Sequence, residues 1–289
     1  MAVLDESILI NRYFEEIAQI PHGSYHEEGI ADYIEQLAIE HELKYYRDEM
    51  NNIVIFKEAS KGYEKHEPLM LQAHMDMVNE KNNDSDHDFD NDPLDLYVED
   101  GYLHAAKTTL GADDGYGVCY MLAILTDKAL KHPPLECVFT VQEEVGLRGA
   151  KTVGQMVKPD IAIAIDVTFS QDIPGDKGDV KLGTGVALGV MDGSAIAHTG
   201  LLKALEAICQ ENQIPYQYDM TSVGGTDSGE LSKVDAGVMN ITLSIPSRYM
   251  HSHRTIIHTD DFQATVDLIV SFIKAMDQSL MTQMIEDKR

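Results

Sequence analysis

Basic residues are scarce in this 289-residue chain: Lys and Arg total 22 against 49 Asp and Glu, a formal charge of −27. A surface of that sign repels phosphate backbones and anionic lipid headgroups, so nucleic acid and membranes are poor partners. Its simplest consequence is solubility, although a cationic group such as a peptide amino terminus would be drawn toward it. Cysteine is also sparse. Cys119, Cys137 and Cys209 stand in apolar stretches without metal-type spacing, so buried free thiols are expected. No apolar run approaches membrane-spanning length, and no basic segment followed by an apolar one opens the chain, which points to a cytoplasmic protein. There is no Gly-x-Ser-x-Gly elbow to support a serine nucleophile, and Gly224-Gly225-Thr226 lacks the Lys that follows in a phosphate-binding loop. Repeats and low-complexity tracts are absent, so a single domain over 1–289 is the simplest partition.

What is present is patterned. With 44% hydrophobic residues the chain can build a substantial core. Apolar spacing predicts helices over 4–18, 26–41, 116–130, 147–156, 196–212 and 260–281. Strands are predicted over 68–73, 135–141, 161–165, 215–220 and 238–245, with a pair across 45–56 turning at Asn51-Asn52 and a hairpin across 94–104 turning at Asp100-Gly101. An acidic loop over 79–93 and a Gly-, Pro- and Asp-rich connection over 171–185 complete the outline. Helices alternating with short apolar runs imply an α/β fold, a mixed β-sheet with helices on both faces.

Acids and imidazoles sit at the ends of the apolar runs. His74-Met75-Asp76 closes one run, Gln142-Glu143-Glu144-Val145-Gly146 follows another, Asp166 ends a third, and Arg248-Tyr249-Met250-His251-Ser252 follows a fourth. Between the first two stands Gly111-Ala112-Asp113-Asp114-Gly115. Such residues at the edge of a sheet describe a two-metal site, because zinc and its relatives take His nitrogen and carboxylate oxygen. His74, Asp113, Glu144, Asp166 and His251 are the expected ligands, with Asp113 bridging because Gly111 and Gly115 flank it and permit a sharp turn. His253 would share the face of His251 on a strand, so spacing leaves the choice between them open. Asp76 is placed to accept a hydrogen bond from the second ring nitrogen of His74 and fix its tautomer. Glu143 is the expected general base, taking a proton from a metal-bridging water and returning it to the leaving amine. Zinc suits the ligand set first, with cobalt and manganese acceptable. Asp84, Asp86 and Asp88 mimic a calcium loop, but Phe89 replaces its Gly and Asp95 its closing Glu, so a solvated acidic loop is expected.

These motifs carry a resemblance in two sections. From about Val138 onward the chain resembles the glutamyl aminopeptidase family, which includes the tetrahedral aminopeptidases, through Val138-Phe139-Thr140-Val141-Gln142-Glu143-Glu144-Val145-Gly146, Ala164-Ile165-Asp166-Val167-Thr168, Gly224-Gly225-Thr226-Asp227 and Ile245-Pro246-Ser247-Arg248-Tyr249-Met250-His251-Ser252. Residues 21–134 are more similar to the aminoacyl-histidine dipeptidases, through Leu71-Gln72-Ala73-His74-Met75-Asp76-Met77-Val78 and Thr109-Leu110-Gly111-Ala112-Asp113. Both resemblances imply one metal on His74, Asp113 and Asp166, a second on Asp113, Glu144 and His251, and Glu143 as base. They also favour His251 over His253. Both families carry inserted lid or assembly domains for which this chain has no room, so a near-minimal catalytic core is expected.

The leading expectation is a metal-dependent aminopeptidase acting on short peptides, with self-association into a homo-oligomer left open. A dipeptidase or N-acyl amino acid amidohydrolase on the same metals is the alternative, and an inactive binding module is the contrasting class.

Overall fold

Alternating side chains on the inner strands decide where the layers lie. The computed structural model describes residues 2–287 apart from 177 and 236; residue 177, within the predicted 171–185 connection, and the two ends of the 1–289 span therefore lie outside the described residues. The chain begins with α1 (Leu9–Ile17), α2 (Glu28–Glu40), β1 (Lys44–Arg47), β2 (Ile53–Lys57) and β3 (Leu69–His74). A hairpin of β4 (Leu96–Glu99) and β5 (Tyr102–Ala105) leads to α3 (Ala112–Thr126), β6 (Leu135–Thr140), α4 (Arg148–Val153) and β7 (Ile161–Phe169). Then come β8 (Val186–Met191), α5 (Thr199–Asn212), β9 (Tyr216–Met220), α6 (Ser228–Leu231), β10 (Met239–Arg248), β11 (Ile256–His258), α7 (Thr259–Ala275) and α8 (Gln278–Glu286).

The strands form one mixed sheet in the order β1-β2-β6-β3-β7-β10-β11-β5-β4, with β8 and β9 branching from β10. Its centre, β6-β3-β7-β10, is parallel. On β3, Leu69 and Leu71 join the main core beneath α1, α3 and α7, whereas Met70 joins a smaller core with Ala150, Val153 and Leu231 on the opposite face. The sheet is thus covered on both sides, as its near-continuous apolar strands require. Each fully buried Leu or Ile contributes roughly 1.5–3 kcal/mol relative to an exposed one, which makes these central strands a firm platform. Strand register then sets the site. His74 pairs with Thr140 at the end of β3, and the Gln72 to Ala164 pairing places Asp166 level with His74 on the next strand. In parallel sheets ligands collect at these carboxyl ends.

Several elements differ from the sequence expectation. The first helix starts at Leu9, not residue 4, and the helix expected over 196–212 starts at Thr199, with Ile196 bridged to Met191 and His198 accepting from the Leu201 N–H as its cap. The helix expected over 260–281 is two: Met276 is extended, and Asp277 caps the second by accepting from the Leu280 N–H. The strands β8 and β11 and the short helix α6 were not anticipated. Between His74 and Asp113 the chain makes only a loop and the β4–β5 hairpin, with no inserted domain. No described helix is long and apolar enough to cross a membrane.

Candidate metal centre

Five side chains from distant parts of the chain converge at the carboxyl edge of the parallel strands. His74 Nε2 lies 3.0 Å from Asp113 Oδ1 and 3.8 Å from Asp166 Oδ1. His251 Nε2 lies 3.1 Å from Asp113 Oδ2 and 3.0 Å from Glu144 Oε2. These form two groups, His74–Asp113–Asp166 and Asp113–Glu144–His251, each with ligand atoms within 4.8 Å of one another. Asp113 belongs to both, turning one carboxylate oxygen to each histidine. Its backbone is non-helical, and the Asp113–Asp114 peptide is cis. Gly111 supplies the left-handed residue before it, with φ of 69°. Gly115 was expected to help in the same way but does not; it lies within α3, where a Cβ would come 3.2 Å from the Phe14 ring.

The segment after β6 is held by carboxylates. Gln142 takes a left-handed turn, and its N–H donates to Glu27 Oε1. The next two amides, of Glu143 and Glu144, donate to the two carboxylate oxygens of Asp76 at 3.0 and 3.3 Å. Ser24 Oγ also donates to Asp76, at 2.7 Å. The fully buried Asp76 therefore does more than was expected of it. His74 Nδ1 lies 2.9 Å from the Asp76 backbone carbonyl and 3.4 Å from its carboxylate, so main chain and side chain together orient the ring. An Nδ1–H there leaves Nε2 free to face Asp113 and Asp166. Asp76→Ala is expected to lower turnover about 10- to 100-fold, as for other groups that orient ligands; steady-state kinetics with parallel metal analysis checks this, and unchanged values for both would refute the positioning.

Negative charge is crowded here. Burial pushes the Glu143 carboxyl well up from its ordinary value, aided by Asp166, Asp227 and Asp113, and Glu144 rises for the same first cause. His251 is raised to about 10 by its hydrogen bonds to Asp113 and Glu144. Each of these shifts reflects how strongly the crowded site disfavours further negative charge. Glu144 Oε1 and Asp227 Oδ1 are buried with no hydrogen-bond partner among the described residues. A cation would relieve buried carboxylates in this state, and His nitrogen with carboxylate oxygen is a donor set that zinc, cobalt and manganese accept.

Other sequence expectations can now be placed. His251 lies in a turn with φ of 57°, not on a strand, so it does not share a face with His253, and among the described residues only His251 joins a ligand group. His251→Ala is accordingly expected to remove about one bound metal per chain while His253→Ala removes none, with three N/O donors being the least a catalytic zinc keeps; elemental analysis after dialysis distinguishes them. Arg248 does not enter the centre: its guanidinium makes a two-point ion pair with Asp172 at 3.1 and 2.7 Å. Asp84, Asp86 and Asp88 are exposed, and the three cysteines are buried and free. Four buried groups have roles that were not anticipated. Asp114 accepts from the His74 N–H, and Gln72 and Thr140 both donate to Asp227. Asp227 stood in a motif that carried the family resemblance, but local sequence gives no sign of its partners.

A cavity of about 430 Å³ opens beside the two groups; Asp113, Glu143, Glu144, Asp166 and His251 line it, and its far wall comes from β8, β9 and the 221–226 loop. The chain itself is similar to several peptidases. The chain is 46% identical over 154 residues to the cytosol non-specific dipeptidase of Escherichia coli, covering 53% of this chain and 32% of that protein. It is 45% identical over 180 residues to a putative aminopeptidase of Acetivibrio thermocellus, covering 61% and 54%. The matched region thus spans little more than half, or less, of these curated relatives. An aminopeptidase from the archaeon Desulfurococcus kamchatkensis superposes with a TM-score of 0.80 at 25% identity, over 95% of this chain and 98% of that one. The profile of the M42 glutamyl aminopeptidases matches residues 103–268, which include Asp113, Glu143, Glu144, Asp166 and His251 and begin well upstream of Val138. With more than half of its length matched, the chain belongs to the M42 glutamyl aminopeptidase family.

Proposed function

We propose that the protein is a metal-dependent aminopeptidase that releases N-terminal residues from short peptides. The observation that carries this reading is Glu143, a buried carboxyl that shares one cavity with Asp113, Glu144, Asp166 and His251, members of two ligand groups that have Asp113 in common. In this reading His74, Asp113 and Asp166 hold one divalent ion and Asp113, Glu144 and His251 a second, zinc being the first choice. Bound there, the ions supply Lewis acidity, polarising a peptide carbonyl and lowering the pKa of water. Glu143 takes the proton of the attacking water and delivers it to the departing amine. Asp76 holds the amides of Glu143 and Glu144, so the base and its neighbouring ligand stay in register with each other. The acidic cavity favours the free amine of a peptide over a blocked one. A cytoplasmic placement accords with this reading, one relative being named for the cytosol.

Similarity to a named dipeptidase supports a second reading, a dipeptidase or amidohydrolase on the same residues. Amino-acid release from a free tripeptide, its N-acetylated form and a dipeptide, each with zinc, cobalt or manganese, tests both. Cleavage of free-amine substrates including the tripeptide supports the aminopeptidase. Cleavage confined to the dipeptide or the blocked peptide favours the second reading, and no cleavage of any by metal-loaded protein favours a binding module.

A further inference from the structure

The cavity also carries charge away from the ligand groups. Among its described lining residues there is no Lys or Arg, and two further carboxylates, Asp192 and Asp219, stand on the β8–β9 branch. Their situations differ. Asp192 is fully engaged in its own loop: Oδ1 accepts from the Ser194 N–H, the Ser194 hydroxyl and the Ala195 N–H, and Oδ2 accepts from Thr226 Oγ1. Asp219 is 7% exposed, and the Thr168 side chain stands as a hydrogen-bonding neighbour of its carboxylate. A carboxylate can accept about four hydrogen bonds. Burial, with Asp192 nearby, pushes the Asp219 carboxyl above its ordinary value, a cost that a cation beside it would relieve. The same cavity is lined by apolar side chains: Met191 is half-buried, and Phe169 and Val223 are 48% and 70% exposed.

We infer that this cavity selects a long cationic side chain on the N-terminal residue of the peptide, lysine or arginine, with its charged head on Asp219 and its stem along Met191, Phe169 and Val223. Long basic side chains lay apolar stems on apolar surface while their heads reach a polar partner. The other side-chain classes fit worse. A glutamyl side chain would meet Asp219 and Asp192 with no Lys or Arg to pair with. A plain aliphatic chain would seal Asp219 from water and leave it short of donors.

The inference rests on the aminopeptidase reading, so its test has two arms. In the first, lysyl, norleucyl and glutamyl p-nitroanilides are hydrolysed by metal-reconstituted wild type and Asp219→Asn. Norleucine keeps most of the lysine stem without the ammonium. The expected kcat/KM favours lysyl over norleucyl by at least ~10-fold in the wild type, with glutamyl lowest, and the lysyl-to-norleucyl ratio falls by at least ~10-fold in Asp219→Asn, the scale of a lost charged hydrogen bond. Equal rates on lysyl and norleucyl, or a ratio that Asp219→Asn leaves unchanged, would overturn the inference. In the second arm, calorimetry measures binding of free L-lysine and L-norleucine to the same proteins. If no anilide is cleaved, the tripeptide assay judges the aminopeptidase reading and the binding arm alone decides the side-chain assignment. Tighter binding of lysine that is lost in Asp219→Asn sustains the side-chain assignment; equal or absent binding of the two overturns it.

Discussion

Glu143→Gln is expected to lose about 10²- to 10⁴-fold in kcat, the usual contribution of a general acid–base group, while its metal content stays at the wild-type level. The argument begins from position. Glu143 and Glu144 are adjacent, and their amides hang from the two oxygens of one buried carboxylate, Asp76. The side chains then part: Glu144 Oε2 lies 3.0 Å from the ligand-group histidine His251, whereas Glu143 belongs to neither ligand group. Both line the cavity. A carboxyl beside a metal centre but outside its donor set can move protons, and a glutamine of the same shape cannot. Because Gln also preserves volume and removes a buried acid from an acid-rich site, the variant should fold at least as well as the wild type. Turnover within about threefold of wild type, against the expected 10² or more, would remove Glu143 from the role of base. Loss of metal in this variant would mean instead that Glu143 is itself a ligand.

Much of this centre could be read from local sequence because its residues end apolar runs that are strands in the structure. His74 closes β3, the Glu pair follows β6, and Asp166 lies on β7, so a wholly local pattern marked each. The remaining wall could not be read in that way. β8 lies in a Gly-punctuated stretch just after the connection expected to be loop, and it is fixed as a strand by its partners β10 and β9. Asp219 gained meaning only when β9 was placed against β8. The break between α7 and α8 was hidden because apolar spacing runs on through Met276, which is buried and so satisfies the helical pattern without being helical. Asp76 was expected to serve His74, yet its hold on the Glu143 and Glu144 amides spans 67 residues or more and depends on the β3–β6 pairing. His251 was legible as a residue but not as a geometry: it reaches Asp113 from a left-handed turn, where a strand would have sent it elsewhere.

Asp113→Ala should be more damaging to metal binding than the loss of any other ligand, emptying both positions and lowering turnover at least ~100-fold. Asp113 is the one residue common to the two groups, with Oδ1 at 3.0 Å from His74 Nε2 and Oδ2 at 3.1 Å from His251 Nε2. Burial alone would raise its pKa, but the His251 and His74 rings beside its two oxygens outweigh burial and hold it below the ordinary carboxylate range. It presents one oxygen to each group. Removing it leaves His74 with Asp166 and His251 with Glu144, two donors apiece, below the three that a catalytic zinc keeps. His251→Ala, by contrast, leaves the His74–Asp113–Asp166 group complete. Elemental analysis after exhaustive dialysis should give a step: about two metals per chain in the wild type, about one in His251→Ala and close to none in Asp113→Ala. Equal metal content in the two variants would break the bridging assignment, because a carboxylate serving one ion could cost only that ion. A far-ultraviolet dichroism spectrum like the wild type's would assign the loss to coordination, since the central strands are held by apolar packing on both faces and do not depend on Asp113.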